Sequence, residues 1–167
     1  MGRQGVTRPQ PRLVEVAPRD GLQSAKAVVS LDAKVAFAIS GWGVLYPLVR
    51  RDLAKAKGEN ALLKSHEAFF GDDATQIEAT PTLVLERGEK VHLPPALTFQ
   101  GDQDEWTSVE LAKRLEAAWK KAGGAFELLL LEGERHTFVN DHPFKPNSIK
   151  AVKASIEFMK DRKSTRL

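Results

Sequence analysis

The stretch Pro95-Ala-Leu-Thr-Phe-Gln-Gly-Asp-Gln-Asp104 decides the fold. Its first part, Pro95 to Gly101, is a short apolar run that ends at a glycine, which is typical of a buried strand. Asp104 comes soon after that glycine. The sequence therefore predicts a strand that presents a carboxylate in the loop at its carboxyl end, where α/β proteins gather their functional side chains.

A helix and a second strand follow this stretch. Thr107 and Glu110 form a T-x-x-E capping box that predicts the start of the helix. Gly123-Gly124 predicts its end. Ala125–Leu131 is again apolar and predicts a strand. Apolar residues recur at helical spacing between the two signals: Leu111, Leu115, Ala118, Trp119 and Ala122.

The remaining C-terminal residues predict a loop from Glu132 to Pro146 and a final helix from Asn147 to about Lys160. Strands that alternate with amphipathic helices of this length favour a parallel sheet covered by helices. The expected fold class is therefore α/β.

The middle of the chain predicts a helical excursion that returns to the sheet. Leu48–Lys57 and Asn60–Phe70 have helical patterns, and Gly71-Asp72-Asp73 separates them from the next segment. Thr82–Glu86 is a candidate for a short apolar strand.

The N-terminal part offers two weaker signals. Arg12-Leu-Val-Glu-Val16 alternates as a strand does, and Leu31–Phe37 could begin a helix after Ser30, a suitable N-cap. We expect residues 1–11 to be a disordered arm.

Composition excludes several classes of function. The chain has 167 residues, of which 42% are hydrophobic and 28% charged, as in a soluble globular domain. It has no cysteine, which excludes disulfides, thiolate zinc sites and cysteine nucleophiles. No apolar run approaches the roughly 20 residues that cross a bilayer, and no signal peptide is recognisable. We expect a cytoplasmic protein without a membrane partner.

The net charge of +3 does not indicate nucleic-acid binding, because the basic residues lie at the ends. Removing the +3 of residues 1–12 and the +2 of residues 161–167 leaves −2 for the residues between. No basic stripe interleaved with aromatic residues follows a helix, so we expect no nucleic-acid partner.

Asp104 and His136 are the candidate site residues. His136 lies in the loop Glu132-Gly-Glu-Arg-His-Thr-Phe138, directly after the second predicted strand. A carboxylate can orient an imidazole and stabilise its protonated form while the imidazole moves a proton to and from a nucleophile. The spacing alone leaves an alternative open, in which Asp104 caps the next helix and His136 is an ordinary surface residue.

Other histidines give weaker signals. His66-Glu-Ala-Phe-Phe70 begins as the zinc motif H-E-x-x-H does, but it lacks the second histidine. His92 and His142 have no partner at ligand spacing, so we expect ordinary loop residues there. The sequence predicts no metal and no cofactor.

Residues 38–160 resemble the last part of an α/β-hydrolase of the esterase, lipase or acyl-peptidase type. The Gly-x-x-Asp of Gly101–Asp104 is where that family holds its triad acid, and Gly133–Phe138 resembles the segment that holds its triad histidine. Ile39–Pro47 is similar to the stretch after the nucleophile helix. The resemblance implies a partial three-layer sandwich with a short parallel sheet, a helical cap remnant at about residues 47–80, and a small-molecule ester or peptide substrate.

The nucleophile of that family is not found in this sequence. No Gly-x-Ser-x-Gly and no His-Gly-Gly oxyanion segment occur, and Ala38-Ile-Ser-Gly-Trp42 lacks both flanking glycines. We expect Ser40 to end a sheet strand. The chain is then a fragment of a serine hydrolase that is inactive unaided, with a non-catalytic binding module as an alternative.

A second resemblance concerns residues 12–37. Arg12-Leu-Val-Glu-Val-Ala-Pro-Arg-Asp-Gly-Leu-Gln23 is similar to the opening of hydroxymethylglutaryl-CoA lyase, a (β/α)8 barrel. It implies that Arg19 polarises a substrate and that Asp20 binds a divalent metal in a motif closed by Gln23. A barrel needs about 250 residues, more than the 167 of this chain. Carbon-carbon lyase activity is therefore the alternative function and not the first. Because no single domain combines both families, we expect two coding segments to meet near Phe37-Ala38.

The last seven residues, Asp161-Arg-Lys-Ser-Thr-Arg-Leu167, resemble an in-frame translation of a common sequencing adapter. We expect this segment to be a disordered tail.

Overall fold

The computed structural model describes residues 36–164, and these contain a three-stranded parallel sheet. Its strands are β1 (Ala38–Gly41), β2 (Ala96–Gly101) and β3 (Phe126–Leu131), in the order β1-β2-β3. Ala96 is in register with Ala38 on one side and with Phe126 on the other. Both predicted C-terminal strands are therefore confirmed to within a residue, and Ser40 lies in β1, as expected.

The helices occupy the connections between strands and the C-terminal segment. They are α1 (Pro47–Ala56), α2 (Asn60–Phe70), α3 (Asp73–Glu78) and α4 (Pro81–Glu86) between β1 and β2, α5 (Val109–Lys121) between β2 and β3, and α6 (Phe138–Asp141) and α7 (Pro146–Ser164) after β3. None of the helices in this part of the chain is long and apolar enough to cross a membrane. The predicted helical excursion is confirmed in α1 and α2.

Apolar side chains on the two faces of the sheet form separate clusters. Successive strand residues point to opposite faces, and Ala96 packs with Phe126 and with the buried face of α5, formed by Ala112, Leu115 and Ala118. On the opposite face, Leu131 packs with Phe138 and with Ala151 of α7. Helices thus cover both faces of the sheet, which gives three layers, as expected for this fold class.

Helix α5 begins one residue later than its sequence signal predicts. The N-cap is Ser108, whose hydroxyl accepts a hydrogen bond from the Leu111 N–H at 3.3 Å. The Thr107 hydroxyl is directed instead to Asp104, to which it donates at 2.7 Å. The T-x-x-E interpretation is wrong about the cap, although it is right about the helix.

The strand predicted at Thr82–Glu86 is wrong, because these residues form helix α4. Pro81 stands in the first turn, where its fixed φ favours a helix and its missing N–H costs nothing. Thr82 and Leu85 are buried, three positions apart on one helical face. A short apolar run cannot be assigned to strand or helix by periodicity alone.

Two C-terminal expectations also need correction. The segment predicted as a loop from Glu132 to Pro146 contains helix α6, and α7 continues to Ser164 rather than ending near Lys160. Arg162, expected in a disordered tail, lies in α7, where its guanidinium is 3.1 Å from Glu127 and stacks on the Phe158 ring. The predicted strand at Arg12–Val16 and the start of the helix at Leu31 lie outside the described residues.

Gly101 sets how closely the loops after β2 and β3 approach each other. A Cβ at this position would overlap the carbonyl of Glu134. Three hydrogen bonds join the two loops: Asp102 N–H to the Leu131 carbonyl at 3.1 Å, Gln103 N–H to the Glu134 carbonyl at 2.9 Å, and Gly133 N–H to the Asp102 carboxylate at 2.7 Å. Any side chain at Gly101 therefore pushes these loops apart.

We predict that Gly101→Ala lowers the free energy of unfolding by about 2 kcal/mol, because the added methyl meets backbone that cannot rotate away. Urea unfolding followed by circular dichroism measures the change. Gly88→Ala is the control: it has open space and φ of +79°, so only backbone strain of about 1 kcal/mol is expected. Equal costs for the two variants would contradict the close-approach argument.

Candidate active site

Asp104 lies in the turn between β2 and α5, with its carboxylate fully shielded from solvent. One carboxylate oxygen, Oδ1, accepts hydrogen bonds from the N–H groups of Trp106 and Thr107 at 2.8 and 3.0 Å. The other, Oδ2, accepts from the Thr107 hydroxyl at 2.7 Å. The alternative in which Asp104 caps the next helix is thus partly right. Asp104 orders the turn before the helix, but the N-cap itself is Ser108.

His136 completes the set of donors around this carboxylate. Its Nδ1 is 2.9 Å from Asp104 Oδ2 and 3.1 Å from Oδ1, and a fifth of its side chain is exposed. Because an ionised carboxylate only accepts hydrogen bonds, Nδ1 carries the proton that joins the pair. In the neutral ring, Nε2 is then a proton acceptor, and it has no hydrogen-bond partner within residues 36–164.

The electrostatics keep Asp104 ionised. Burial raises the pKa of this carboxyl, but hydrogen bonds from His136, Thr107 and Trp106 act in the opposite direction and together prevail. The pKa of Asp104 therefore lies below its usual value.

Gln100 supports the turn from within β2, a role that the sequence analysis missed. Its side chain is completely buried, and its amide nitrogen donates to the carbonyl of Thr107. The available signal was a polar residue inside an apolar strand. A buried amide needs a hydrogen-bond partner, and here that partner is the loop that holds Asp104.

An aromatic cluster contacts His136 through Trp42. Trp42 makes edge contacts with the rings of Phe99 (5.8 Å), His136 (6.5 Å) and Phe138 (5.7 Å). Trp42 and Thr137 are the non-glycine residues with positive φ in this part of the chain, at 41° and 61°. Such conformations cost on the order of 1–3 kcal/mol and concentrate at functional sites. The sequence analysis singled out neither residue, although Gly41 and Gly43 flank Trp42.

The histidine considered for a zinc motif has other partners. His66, considered for a zinc motif, is buried in α2, where Nε2 is 3.2 Å from Gln76 Oε1. No group of three or more residues that could hold a metal is present between residues 36 and 164. Arg19, Asp20 and Gln23 of the lyase-like motif lie outside the described residues, so the structure does not bear on them.

No family model and no curated protein matches the sequence, and the lyase and adapter resemblances gain no support from the comparisons. Solved structures do match. An esterase/lipase from an uncultured bacterium is 22% identical, with a TM-score of 0.60 over 78% of this chain and 44% of that one. Esterase 2 of Thermogutta terrifontis, phosphoramylated by tabun, is 22% identical, with a TM-score of 0.57 over 87% and 46%. EstE5, soaked with p-nitrophenyl butyrate, is 22% identical, with a TM-score of 0.56 over 76% and 43%.

The chain therefore spans less than half the length of these structures. At 22% sequence identity, the structural similarity shows the fold alone. The described residues have the fold of part of an α/β-hydrolase, built on a short parallel sheet with helices on both faces.

Proposed function

We propose that residues 38–160 supply the acid, Asp104, and the histidine, His136, of a serine hydrolase. The observation that carries this proposal is the hydrogen bond between the shielded Asp104 carboxylate and His136 Nδ1 at 2.9 Å. Asp104 fixes the tautomer and stabilises the imidazolium, while Nε2 accepts the proton of an attacking hydroxyl and returns it to the leaving group.

The nucleophile of this proposed triad lies outside these 167 residues. The sequence has no Gly-x-Ser-x-Gly. Ser40 lies within strand β1, and its Oγ is directed toward Gly43. Without a nucleophile and oxyanion hole the largest contributions to the rate are missing. The chain is thus a fragment that is inactive by itself.

The proposed substrate class is a small-molecule ester, ahead of a peptide. The matched structures are esterases, among them a propionate-bound form of the Thermogutta terrifontis enzyme at 24% identity and a TM-score of 0.56. Trp42, which contacts the His136 ring and packs against Phe99, gives the pair an apolar neighbour suited to an acyl group. Helices α1 to α3 occupy the proposed cap remnant.

The proposal predicts a pH-dependent stabilisation by Asp104. The folded pKa is lowered from its usual value of about 3.9, so the stabilisation is present above that value and is lost as the pH falls through the folded pKa. Asp104→Asn should lower the free energy of unfolding by about 2 kcal/mol at neutral pH. The difference from the unchanged protein should shrink below about pH 4.

Urea unfolding between pH 2.5 and 7 measures this dependence. Asp102→Asn serves as the control, because its exposed side chain keeps an oxygen for the Gly133 N–H, and it should cost less than half as much at neutral pH. If the loss in free energy of unfolding caused by Asp104→Asn is the same at every pH, the buried charge of Asp104 does not contribute to stability.

The fragment proposal predicts what lies upstream in the source DNA. Sequencing long reads across the codons for residues 30–45 should reveal a hydrolase frame that continues upstream into Gly-x-Ser-x-Gly. In the enzyme expressed from that frame, His136→Ala should abolish ester hydrolysis, and Asp104→Asn should lower kcat by about 10⁴-fold. His142→Ala, an exposed histidine nearby, should change neither kcat nor KM. An uninterrupted transcript without a nucleophile motif would refute the fragment proposal.

The 167-residue chain itself should not react with a fluorophosphonate probe, because within residues 36–164 no serine hydroxyl forms a hydrogen bond with His136. Gel fluorescence after labelling tests this, with an intact serine esterase as the positive control. Labelling of any serine that is lost in His136→Ala would show that the chain is an active hydrolase after all.

A further inference from the structure

Helices α1, α2 and α3 meet at a histidine rather than at an apolar side chain. Of the residues that the structure describes in α2, His66 alone is buried, and in α3 the same is true of Gln76. Their exposed fractions are 3% for His66 and 0% for Gln76. The apolar residues Leu62, Leu63 and Phe70 of α2 are only half-buried. The attachment of α2 therefore depends on a buried residue whose charge can change.

The contacts of His66 fix one neutral form of its ring. The Gln76 amide nitrogen donates to the Gly71 carbonyl at 3.0 Å, so the Gln76 oxygen, Oε1, is the atom that lies 3.2 Å from His66 Nε2. Because an amide oxygen only accepts hydrogen bonds, Nε2 carries the proton of the neutral ring. His66 Nδ1 is then an acceptor, and it lies 3.5 Å from the Arg50 Nη1 of α1. One neutral ring thus contacts both α1 and α3.

A second proton on the His66 ring would have to bind at Nδ1, where it faces a guanidinium. The new N–H would then point at the Arg50 Nη1 donor instead of accepting from it. It would also place two positive charges side by side, away from water. Both effects oppose the closed arrangement of the three helices, because a buried charge is costly unless an opposite charge or an acceptor compensates it.

The charged groups around His66 act in the same direction on balance. Burial lowers the pKa of His66 most, the hydrogen bond with Gln76 raises it, and the positive charges of Arg50 and Arg51 on α1 lower it further. Glu67, on α2 itself, raises it slightly. Asp73 of α3 is already paired with Arg51. The pKa of His66 therefore lies below its usual value.

We propose that His66 is a pH-sensitive switch: while its ring is neutral, α2 stays packed against α1 and α3, and uptake of a proton at Nδ1 detaches α2. Because the pKa is lower in the closed state than in the open one, α2 is held fully above about pH 6.5. It is held less firmly as the pH falls toward the pKa of the closed state. In that range the ratio of open to closed α2 should rise about tenfold for each pH unit.

This switch is independent of the proposed hydrolase function. It requires neither a nucleophile nor a substrate. It also operates at a higher pH than the loss of charge at Asp104, whose pKa lies below its usual value of about 3.9. Acid effects of the two residues can therefore be measured separately.

Hydrogen exchange of the full chain, followed by mass spectrometry between about pH 5 and 7.5, measures the opening of α2. Each exchange rate is divided by the rate of an unstructured peptide at the same pH, so that the opening equilibrium remains. We expect the amides of Asn60–Phe70 to lose protection by about tenfold for each pH unit below about 6.5. The amides of β2 and β3 should keep their protection over the same range.

Two variants and one matched control complete the test. His66→Gln replaces the ring by an amide that can donate and accept hydrogen bonds but takes up no proton, so the protection of α2 should no longer depend on pH. His66→Leu should behave in the same way. His142→Gln removes an exposed histidine outside these helices and should show the same acid-dependent loss as the unchanged chain. Protection of α2 that is independent of pH in the unchanged chain, or a loss that persists in His66→Gln, would overturn the proposal.

Nitrogen-15 NMR of the unchanged chain gives a second measure should neither His66 variant fold. The ring nitrogens of His66 report its protonation, and the backbone amides report the attachment of α2. We expect protonation of the ring and loss of protection in α2 to follow the same pH dependence. A ring that is protonated while α2 keeps its full protection would contradict the proposed switch.

Discussion

The Asp104 carboxylate is the interaction on which the described structure depends most. It accepts hydrogen bonds from two backbone N–H groups of the following turn, from the Thr107 hydroxyl and from His136 Nδ1. Together these bonds join the end of β2, the start of α5 and the loop after β3. Four donors compensate the desolvation of one charge, and hydrogen bonds to a charged group are individually stronger than those between neutral groups. The same contacts that order the turn therefore also orient the imidazole.

The close approach of the two loops makes these contacts possible. β2 and β3 are parallel and in register from Ala96 and Phe126 onward, so their carboxyl ends reach the same edge of the sheet. Gly101 then lets the backbone of the first loop touch Glu134 of the second. Gln100 points to the opposite face and ties the turn back to the strand through the Thr107 carbonyl. The geometry of the pair is thus set locally, within the β2-α5-β3 unit.

Much of this could be predicted from sequence because the signals are local. A short apolar run that ends at a glycine was sufficient for β2, a similar apolar run was sufficient for β3, and the position of Asp104 and His136 just after these strands brings them together. The predictions that proved wrong concern segments in which two local signals compete. Thr107 has the sequence of an N-cap, but its hydroxyl is directed to the Asp104 carboxylate, and Ser108 is the cap. Thr82–Glu86 has the composition of a strand, but Pro81 starts a helix there.

Other features could not be predicted because they depend on residues far apart in sequence. His66 is buried against Arg50 and Gln76, which lie 16 and 10 positions away. The positive φ of Trp42 accompanies its packing against Phe99 and Phe138. The spacing of histidines along the chain therefore says little about which of them is available for chemistry. The fold selects between them by solvation: His66 is enclosed, whereas His136 has one nitrogen held by a carboxylate and part of its ring exposed.

Because the determinants of Asp104 and His136 are local, the proposed acid-histidine pair can form independently of a nucleophile. The acid and the histidine are both presented by loops of one β-α-β unit, which provides the strand pairing, the helix start and the carboxylate contacts that fix their geometry. A serine contributed by a different strand would be positioned by pairing that this unit does not control. Among residues 36–164, β1 pairs with β2 alone, so β1 has a second edge at which a further strand could add. Under the proposed function, pairing at that edge, rather than any change at Asp104 or His136, is what a complete triad requires.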